Sequence, residues 1–181
     1  MKAFEVIHPG IYTMIQDLGR PGFMKYGVPA SGVSDTFAAK IGNRLVGNQP
    51  GAALLEILLF RLELLALDDL IIAVTGGDLS PTIDQTPLPM WQAVSIRKGD
   101  HLIFKGRKKG FRAFLAVRGG FEGPKFLGSR SVFARGLMGE PLKAGQILER
   151  ENAILGPPSP RGLPPEMIPD YQTKEPIRVM L

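Results

Sequence analysis

The stretch from residue 15 to residue 35, IQDLGRPGFMKYGVPASGVSD, constrains the fold more than any other part of the sequence. Its glycines permit backbone conformations that other residues avoid, and its prolines fix φ and remove a donor, so it cannot be one regular strand or helix. Loops longer than about 12–15 residues are more often functional or disordered than simple connections. Phe23, Tyr26 and Val28 can pin this one to a core, so we expect an ordered loop.

Polar side chains are interspersed among these turns, where a rigid scaffold commonly presents binding groups. They are Gln16, Asp17, Arg20, Ser31 and Asp35. Gln16, Asp17 and Arg20 could hold an amide or carboxylate substrate, with the planar guanidinium as a fork. Alternatively, Asp17 and Arg20 satisfy the loop's own backbone and pair with each other. The sequence leaves both interpretations open.

A second glycine-rich motif, TGGD, follows a continuous apolar run that predicts a strand buried on both faces. It consists of Thr75, Gly76, Gly77 and Asp78. Successive backbone N–H groups at paired glycines can form an anion-binding nest. A tight turn with no ligand is the simpler interpretation, and the sequence favours it.

Two further places put cations and hydroxyl groups beside glycine. They are Arg118, which precedes two glycines, and Ser129, Arg130 and Ser131 within GSRS. Arginine in such a place suits recognition of a carboxylate or phosphoryl group. The same residues could equally be ion-paired on the surface.

These motifs together resemble a known family. QDLGRPG, YGVPASGVSD and NRLVGN, followed by LLEI, VTGGDLSPTIDQTPLPMW, RKGDHLIF, FRAFLAVRGGF and LGSRS, are similar to the biotin-dependent carboxyltransferase, or allophanate hydrolase subunit 2, family. The resemblance extends roughly from Val6 to Glu149. The family includes the C component of 5-oxoprolinase, the carboxyltransferase part of urea carboxylase, and the partner protein of a sporulation-kinase inhibitor.

The resemblance implies a mainly β fold, a cyclophilin-like β-barrel with one principal helix, which is duplicated in full-length members. We therefore expect this barrel at residues 1–150 and a proline-rich linker at 151–176. Residues 177–181 would begin a second, missing barrel, and the sequence does not say whether a truncation or a split gene removed it. Several short strands spaced about 8–12 residues apart independently indicate a sandwich or barrel.

The resemblance also implies an active cleft shared with an allophanate hydrolase subunit 1-like companion, in which preorganised donors stabilise an oxyanion near a planar amide. Three functions remain. The first is a subunit of an ATP-dependent 5-oxoprolinase, with or without a separate lactam-hydrolase subunit, and the second is a carboxyltransferase using carboxybiotin from another polypeptide. The third is a non-catalytic antagonist of a histidine-kinase inhibitor. The chain has no biotin carrier or biotin carboxylase, which favours the first over the second, while nothing separates the first from the third.

Several kinds of chemistry find no support in the sequence. There is no cysteine, no metal-ligand spacing of His, Asp or Glu, no Gly-Lys-Ser/Thr phosphate loop and no G-x-G-x-x-G fingerprint. The two histidines, His8 and His101, lack the context of a catalytic triad. We therefore expect no bound metal and no covalent biotin, ATP only within a complex, and no enzymatic activity from this chain alone.

The net charge is +5, and cations crowd into residues 105–112. Clustered cations can neutralise nucleic-acid phosphates, but the flanking glycines of GRKKG favour a solvated hairpin tip, and no nucleic-acid-binding motif accompanies it. We expect no nucleic-acid partner. No apolar run reaches the roughly 20 residues of a membrane span, and the amino terminus has no signal core, so we expect a cytoplasmic protein that does not bind membranes.

The helix is predicted near Ser34–Val46, where apolar residues recur at intervals of three and four and Ser34 or Asp35 can cap the first turn. Phe37 belongs to this apolar face, whereas Asn43 need not face the core. The segment Ala53–Leu67 could be one buried helix, but the surrounding pattern favours two strands. Trp91 is expected to anchor the core rather than to stack on a ligand.

Overall fold

The computed structural model describes residues 1–151, 157–159, 162–171 and 179. Within these residues the secondary structure is mainly β, with a single α-helix, α1, at Thr36–Leu45. The strands of this part are β1 (Lys2–Pro9), β2 (Tyr12–Gln16), β3 (Leu54–Leu58), β4 (Leu62–Ala66), β5 (Leu70–Asp78), β6 (Pro81–Ile83), β7 (Thr86–Pro87), β8 (Ala93–Ile96), β9 (His101–Phe104), β10 (Lys109–Val117) and β11 (Ile147–Glu149).

These strands form two antiparallel sheets. The first has the order β11-β1-β4-β9-β6-β7 and the second the order β2-β3-β10-β5-β8. A mainly β fold with one principal helix is therefore confirmed. The sheets are not closed into a barrel in the described residues, so the barrel itself is not confirmed. The predicted strand at 177–181 lies outside the described residues apart from Val179.

The main core lies between the two sheets, because alternate side chains of each strand point to opposite faces. On β3, Leu55 and Ile57 are fully buried in this core, whereas Leu54 belongs to a separate apolar cluster with Ala38 and Ala39 of α1. The helix therefore covers the outer face of the second sheet. Strand β5 is buried on both faces, as its continuous apolar run predicts.

Helix α1 begins after Asp35, whose Oδ1 accepts a hydrogen bond from the Ala38 amide at 3.0 Å. The predicted helix and its aspartate cap are confirmed. Two details were wrong. Phe37 is 41% exposed and lies at the rim of the helix interface. Asn43 is buried and donates from Nδ2 to the Ala52 carbonyl at 2.8 Å, because the chain following the helix turns back beneath it.

The segment Ala53–Leu67 forms two strands, as predicted, but the strands belong to different sheets and do not pair as a hairpin. Between them, Leu59 and Arg61 adopt left-handed backbone conformations with φ of 63° and 71°. Glycine adopts such conformations without steric cost, so the backbone is strained at Leu59 and Arg61. The connection is therefore a crossover from one sheet to the other.

The basic segment 105–108 also links the two sheets, since β9 belongs to the first and β10 to the second. The expected hairpin tip was wrong for this reason. The Arg107 guanidinium lies 4.4 Å from the centre of the Phe111 ring and donates from Nε to the Gly110 carbonyl. Lys108 approaches Asp78 at 3.6 Å. Interactions with Phe111, Gly110 and Asp78 therefore offset part of the positive charge of this segment. None of the described helices has the length and apolarity to cross a membrane.

Candidate functional site

The loop between β2 and α1 is closed at its base by two backbone hydrogen bonds. The Arg20 amide donates to the Ala30 carbonyl at 2.7 Å, and the Val33 amide donates to the Asp17 carbonyl at 3.0 Å. Gly19 lies at this crossing with φ of 87°, and a Cβ atom there would be 2.6 Å from the Ala30 and Ser31 carbonyl oxygens. Only glycine fits this contact without a shift of the backbone, so backbone bonds hold the base of the loop. The expected pinning of the loop to the core by Tyr26 was wrong, because that side chain is 70% exposed.

The Asp17 carboxylate accepts four hydrogen bonds from two segments. Its Oδ1 accepts from the hydroxyls of Ser129 and Ser131, both at 2.6 Å, and from the Gly19 amide at 2.8 Å. Its Oδ2 accepts from the Arg130 amide at 2.7 Å. Partial burial opposes ionisation of Asp17, but these hydrogen bonds outweigh it and lower its pKa below the ordinary value of an aspartate. Asp17 therefore joins its own loop to residues 129–131.

Arg20 is almost fully buried, with 1% of its surface exposed. Its Nε donates to the Phe126 carbonyl at 3.2 Å, one Nη donates to the Ser31 hydroxyl at 3.1 Å, and the other donates to the Ser131 carbonyl. Each guanidinium nitrogen is thus bonded to an atom of the protein. Asp17 and Arg20 do not pair with each other; instead, both connect their loop to the segment 126–131. A ligand contact by either stays a prediction.

Gln16, at the end of β2, is also buried, with 3% of its surface exposed. Its Nε2 donates to the Val132 carbonyl at 3.1 Å, whereas its Oε1 has no hydrogen-bond partner in the described residues. Gln16 therefore holds the same neighbouring segment that Asp17 and Arg20 hold. Its predicted substrate role is not tested by this geometry.

A groove lies beside this network, which we call the Arg130 groove. It consists of two adjoining cavities of about 530 and 540 Å³, and the residues common to both are Ile15, Gly123, Pro124, Arg130 and Gln146. The Arg130 guanidinium forms an ion pair with Glu151, and its buried Nε has no hydrogen-bond partner in the described residues. The backbone of Arg130 is held by Asp17. The groove therefore contains a cation, and the hydrogen bond from the Arg130 amide to Asp17 fixes the position of its backbone.

A separate cavity of about 580 Å³, the Trp91 pocket, is lined by residues of β5 and β10 in the second sheet and of β6 and β7 in the first. It is lined in part by Gly76, Asp78, Lys108, Trp91 and Tyr171. Trp91 is 5% exposed and contacts the ring of Tyr171, with ring centres 6.2 Å apart. Trp91 thus serves as a core anchor, as predicted, while also forming part of the pocket wall.

The TGGD motif is part of strand β5, so the expected tight turn was wrong. Gly76 has φ of 83°, and a Cβ atom there would lie 2.8 Å from the Arg112 carbonyl of β10. The corresponding position at Gly77 is 2.8 Å from the Lys109 carbonyl. These glycines allow β5 and β10 to approach closely where their register shifts. Thr75 is fully buried and donates to the Ala38 carbonyl at 2.8 Å, which fixes α1 to the sheet.

The segment 162–171 packs back onto the Trp91 pocket. The Leu163 amide donates to the Trp91 carbonyl at 2.8 Å, and the Tyr171 hydroxyl donates to Asp35 Oδ2 at 2.7 Å. Burial, together with the hydrogen bond to Asp35 and its charge, raises the pKa of Tyr171, so the phenol remains protonated at neutral pH. Asp35 therefore caps the helix through one oxygen and holds this segment through the other.

We expect Tyr171→Phe to lower the free energy of unfolding by about 1 kcal/mol, because it deletes one hydrogen bond to a carboxylate and leaves the ring contacts in place. Urea unfolding followed by tryptophan fluorescence measures the change. Tyr26→Phe is the matched control, since Tyr26 is 70% exposed. Equal stability of wild type and both variants would show that the Tyr171–Asp35 bond contributes nothing.

The structure thus separates the sequence-predicted residues into three places. Asp17, Arg20, Ser31, Ser129 and Arg130 form one hydrogen-bonded network beside the Arg130 groove. Asp35, Gly76 and Asp78 lie at or next to the Trp91 pocket, and Gly77 and Thr75 maintain the packing behind it. Arg118 donates to the Val46 carbonyl at the carboxyl end of α1.

Ser131, the second serine of the GSRS motif, completes the ring of donors on Asp17. One residue important to these sites, Tyr171, was not among the predicted ones. Tyr171 lies in the segment expected to be a linker, so nothing in the local pattern assigned it to a pocket. No group of three or more His, Cys, Asp or Glu able to hold a metal occurs in the described part of the chain.

Comparison with known proteins identifies the class. Residues 26–181 match the family model described as carboxyltransferase domain, subdomain A and B. The chain therefore belongs to the carboxyltransferase domain A/B family, as its motifs predicted.

The relatives of this chain include urea amidolyases and C components of 5-oxoprolinases. The chain is 40% identical to the urea amidolyase of Lachancea kluyveri, with 81% of this chain and 8% of that protein covered. It is 35% identical to the C component of the 5-oxoprolinase of Escherichia coli K12, with 80% and 48% covered. It matches the crystal structure of the K. lactis urea amidolyase with a TM-score of 0.87 and 36% identity, over 96% of this chain and 11% of that one. This chain spans less than half the length of these relatives.

Proposed function

We propose that this chain is part of an ATP-dependent 5-oxoprolinase-type hydrolase, in which it contributes part of a substrate cleft shared with a companion subunit. The observation that carries the proposal is Arg130, a fixed cation on a groove of small-molecule size. Ligand pockets typically enclose about 300–1,000 Å³, and each cavity of the groove falls in this range. The match to the C component of 5-oxoprolinase supports this choice among the family activities.

The chemistry of the substrate fits this groove. 5-Oxoproline carries a carboxylate next to its planar lactam, whereas urea is neutral. An arginine fork binds a carboxylate through two parallel hydrogen bonds. The Arg130 side chain is 19% exposed and is ion-paired with Glu151 through one Nη in the described residues. Its Nε is buried, so a substrate carboxylate would be held at the Nη atoms while the lactam extends along the groove.

The reaction itself needs groups beyond this chain. His101 contacts Glu63 at 2.7 Å on the first sheet, where the pair bridges β9 and β4, and the sequence has no cysteine nucleophile or phosphate-binding loop. We propose that the companion subunit, an allophanate hydrolase subunit 1-like protein, and a lactam-hydrolase subunit supply the nucleotide site and the remaining catalytic groups. The assembly would work in the cytoplasm.

Arg130→Lys, assembled with the companion subunits, is expected to lower kcat/KM for 5-oxoproline about 10- to 100-fold, chiefly through KM, because lysine keeps the charge but loses the fork. ATP-dependent release of glutamate measures the effect. Arg150→Lys is the matched control: the two arginine side chains are 19% and 17% exposed, each is ion-paired, and each has an unbonded Nε, but only Arg130 lines the groove.

A kcat/KM that is equal in the two variants would contradict the substrate role of Arg130. Loss of stability in Arg130→Lys but not in Arg150→Lys, with kcat/KM unchanged in the folded fraction, would make Arg130 a purely structural residue. Failure of the wild-type assembly to hydrolyse 5-oxoproline would contradict the proposed activity itself.

The second candidate is the carboxyltransferase component of a urea carboxylase that accepts the carboxyl group from carboxybiotin. The observation that favours it is the higher identity to urea amidolyase, 40% against 35% for the C component of 5-oxoprolinase. Urea-dependent consumption of carboxybiotin by the assembled protein, with no glutamate formed from 5-oxoproline, would select this function.

A further inference from the structure

Residues 21–29 form a projection beyond the base of the β2–α1 loop, which we call the finger. Its base is closed by the Arg20–Ala30 backbone hydrogen bond. Within it, Met24–Tyr26 form a 3-10 turn that ends at Gly27 with φ of 77°. The Tyr26 amide donates to the Phe23 carbonyl at 2.9 Å. The finger is therefore held in one conformation by its own bonds as well as by its base.

This ordered projection exposes large apolar side chains. Met24 is 72% exposed and Tyr26 is 70% exposed. Scattered apolar residues on a surface are ordinary, but these two lie at the tip of a braced turn. Tyrosine and methionine are enriched where proteins bind one another, and a preorganised contact loses less conformational entropy on binding.

The charge of the finger indicates the chemistry of what it binds. Residues 18–34 contain two cations, Arg20 and Lys25, and no acidic residue. Arg20 is buried at the base, so Lys25 supplies the exposed charge, with its ammonium 5.0 Å from the centre of the Tyr26 ring. A complementary surface is acidic and apolar. A second copy of this chain fits poorly, because two molecules of net charge +5 repel each other.

We propose that the finger docks into an acidic, apolar-lined recess of the companion subunit; this inference rests on the proposed function. Arg20, at the base of the finger, connects the proposed docking site to the substrate groove. Arg20 donates to the carbonyls of Phe126 and Ser131, on either side of Arg130 in the chain. A subunit bound at the finger is thereby placed next to the segment that carries Arg130, and the cleft becomes shared.

The absence of cysteine from the sequence provides a direct test. Met24→Cys introduces a unique thiol, to which an environment-sensitive fluorophore is attached. Met167→Cys is the matched control, because Met167 is also an exposed methionine of a 3-10 turn, 54% exposed. Titration with the purified allophanate hydrolase subunit 1-like protein is expected to shift the emission of the label at position 24 and to leave that at position 167 unchanged.

Affinity measurements on unlabelled variants test the energetic contribution. Tyr26→Ser and Lys25→Glu are each expected to weaken binding of the companion about tenfold or more, as central interface residues do, whereas Met167→Ser is expected to change it less than twofold. All these positions are exposed, so thermal unfolding midpoints are expected to match the wild type. Binding by the wild type should also weaken with rising salt.

Each contrary result overturns the inference. Equal affinity of Tyr26→Ser and the wild type would place the interface elsewhere, and a concentration-dependent shift of the label at position 24 without the companion would indicate self-association. These results leave the proposed function intact. Absence of any complex with the wild-type chain would overturn both the inference and the shared cleft, whereas the kinetics of Arg130→Lys test the substrate assignment separately.

Discussion

Replacing Arg20 with lysine is expected to lower the free energy of unfolding by about 3 kcal/mol. The guanidinium is 1% exposed, and each of its three nitrogens donates to a protein oxygen. A lysine ammonium is a single point that cannot reach the Phe126 carbonyl, the Ser31 hydroxyl and the Ser131 carbonyl at once. The variant therefore leaves buried oxygens unpaired around a poorly solvated charge.

Chemical unfolding of Arg20→Lys and of the control Arg97→Lys measures this effect. Arg97 is exposed, so its substitution is expected to change stability by less than about 0.5 kcal/mol. Arg20→Lys is also expected to reduce activity of the assembled enzyme only to the extent that it unfolds the chain. Normal stability combined with lost turnover would instead support the ligand role that the sequence suggested.

Asp17→Asn is expected to cost about 2–3 kcal/mol, because charge-assisted hydrogen bonds from two loops converge on this carboxylate. An asparagine retains one oxygen but presents its own N–H₂ group to the Arg130 amide, which needs an acceptor. Asp69→Asn, at an exposed position, is the control and should be nearly neutral.

The pH dependence gives a second readout of the same substitution. The pKa of Asp17 is lower in the folded chain than in an unfolded one, because of the hydrogen bonds that its carboxylate accepts. Its contribution to stability is therefore fully present above about pH 4 and is lost as the pH falls through the folded pKa. As the pH falls below about 4, the wild type is expected to lose more stability than Asp17→Asn. Parallel pH profiles of the two proteins would contradict this role for the carboxylate.

The sequence predicted local features well where local rules decide them. The helix cap at Asp35 follows from an acceptor placed before a 3.6-residue apolar period. The two strands of Ala53–Leu67 agree with the surrounding β pattern. The shape of the loop at residues 15–35 follows from its glycines, since Gly19 occupies a crossing where a Cβ atom would collide. The expected apolar pin at Tyr26 was wrong, because that side chain is 70% exposed.

Predictions failed where a contact between distant segments decides the outcome. TGGD reads as a turn, yet the glycines belong to a strand because β10 approaches them closely. GRKKG reads as a hairpin tip, yet its flanking strands join different sheets. Asn43 is buried because the chain returns beneath the helix. In each case the local signal was ambiguous and a distant partner resolved it.

By itself, the sequence determined the family, the mainly β class, the principal helix and the set of polar residues from which a site can be built. The tertiary structure decided which bonds those residues form, because hydrogen-bond partners lie more than a hundred positions apart in the chain, as Asp17 and Ser131 do. Asp17 and Arg20 bond their loop to residues 126–131, and Arg130 lines a groove. Residue type specifies which bonds a side chain can form, and only the fold specifies which of them are already taken.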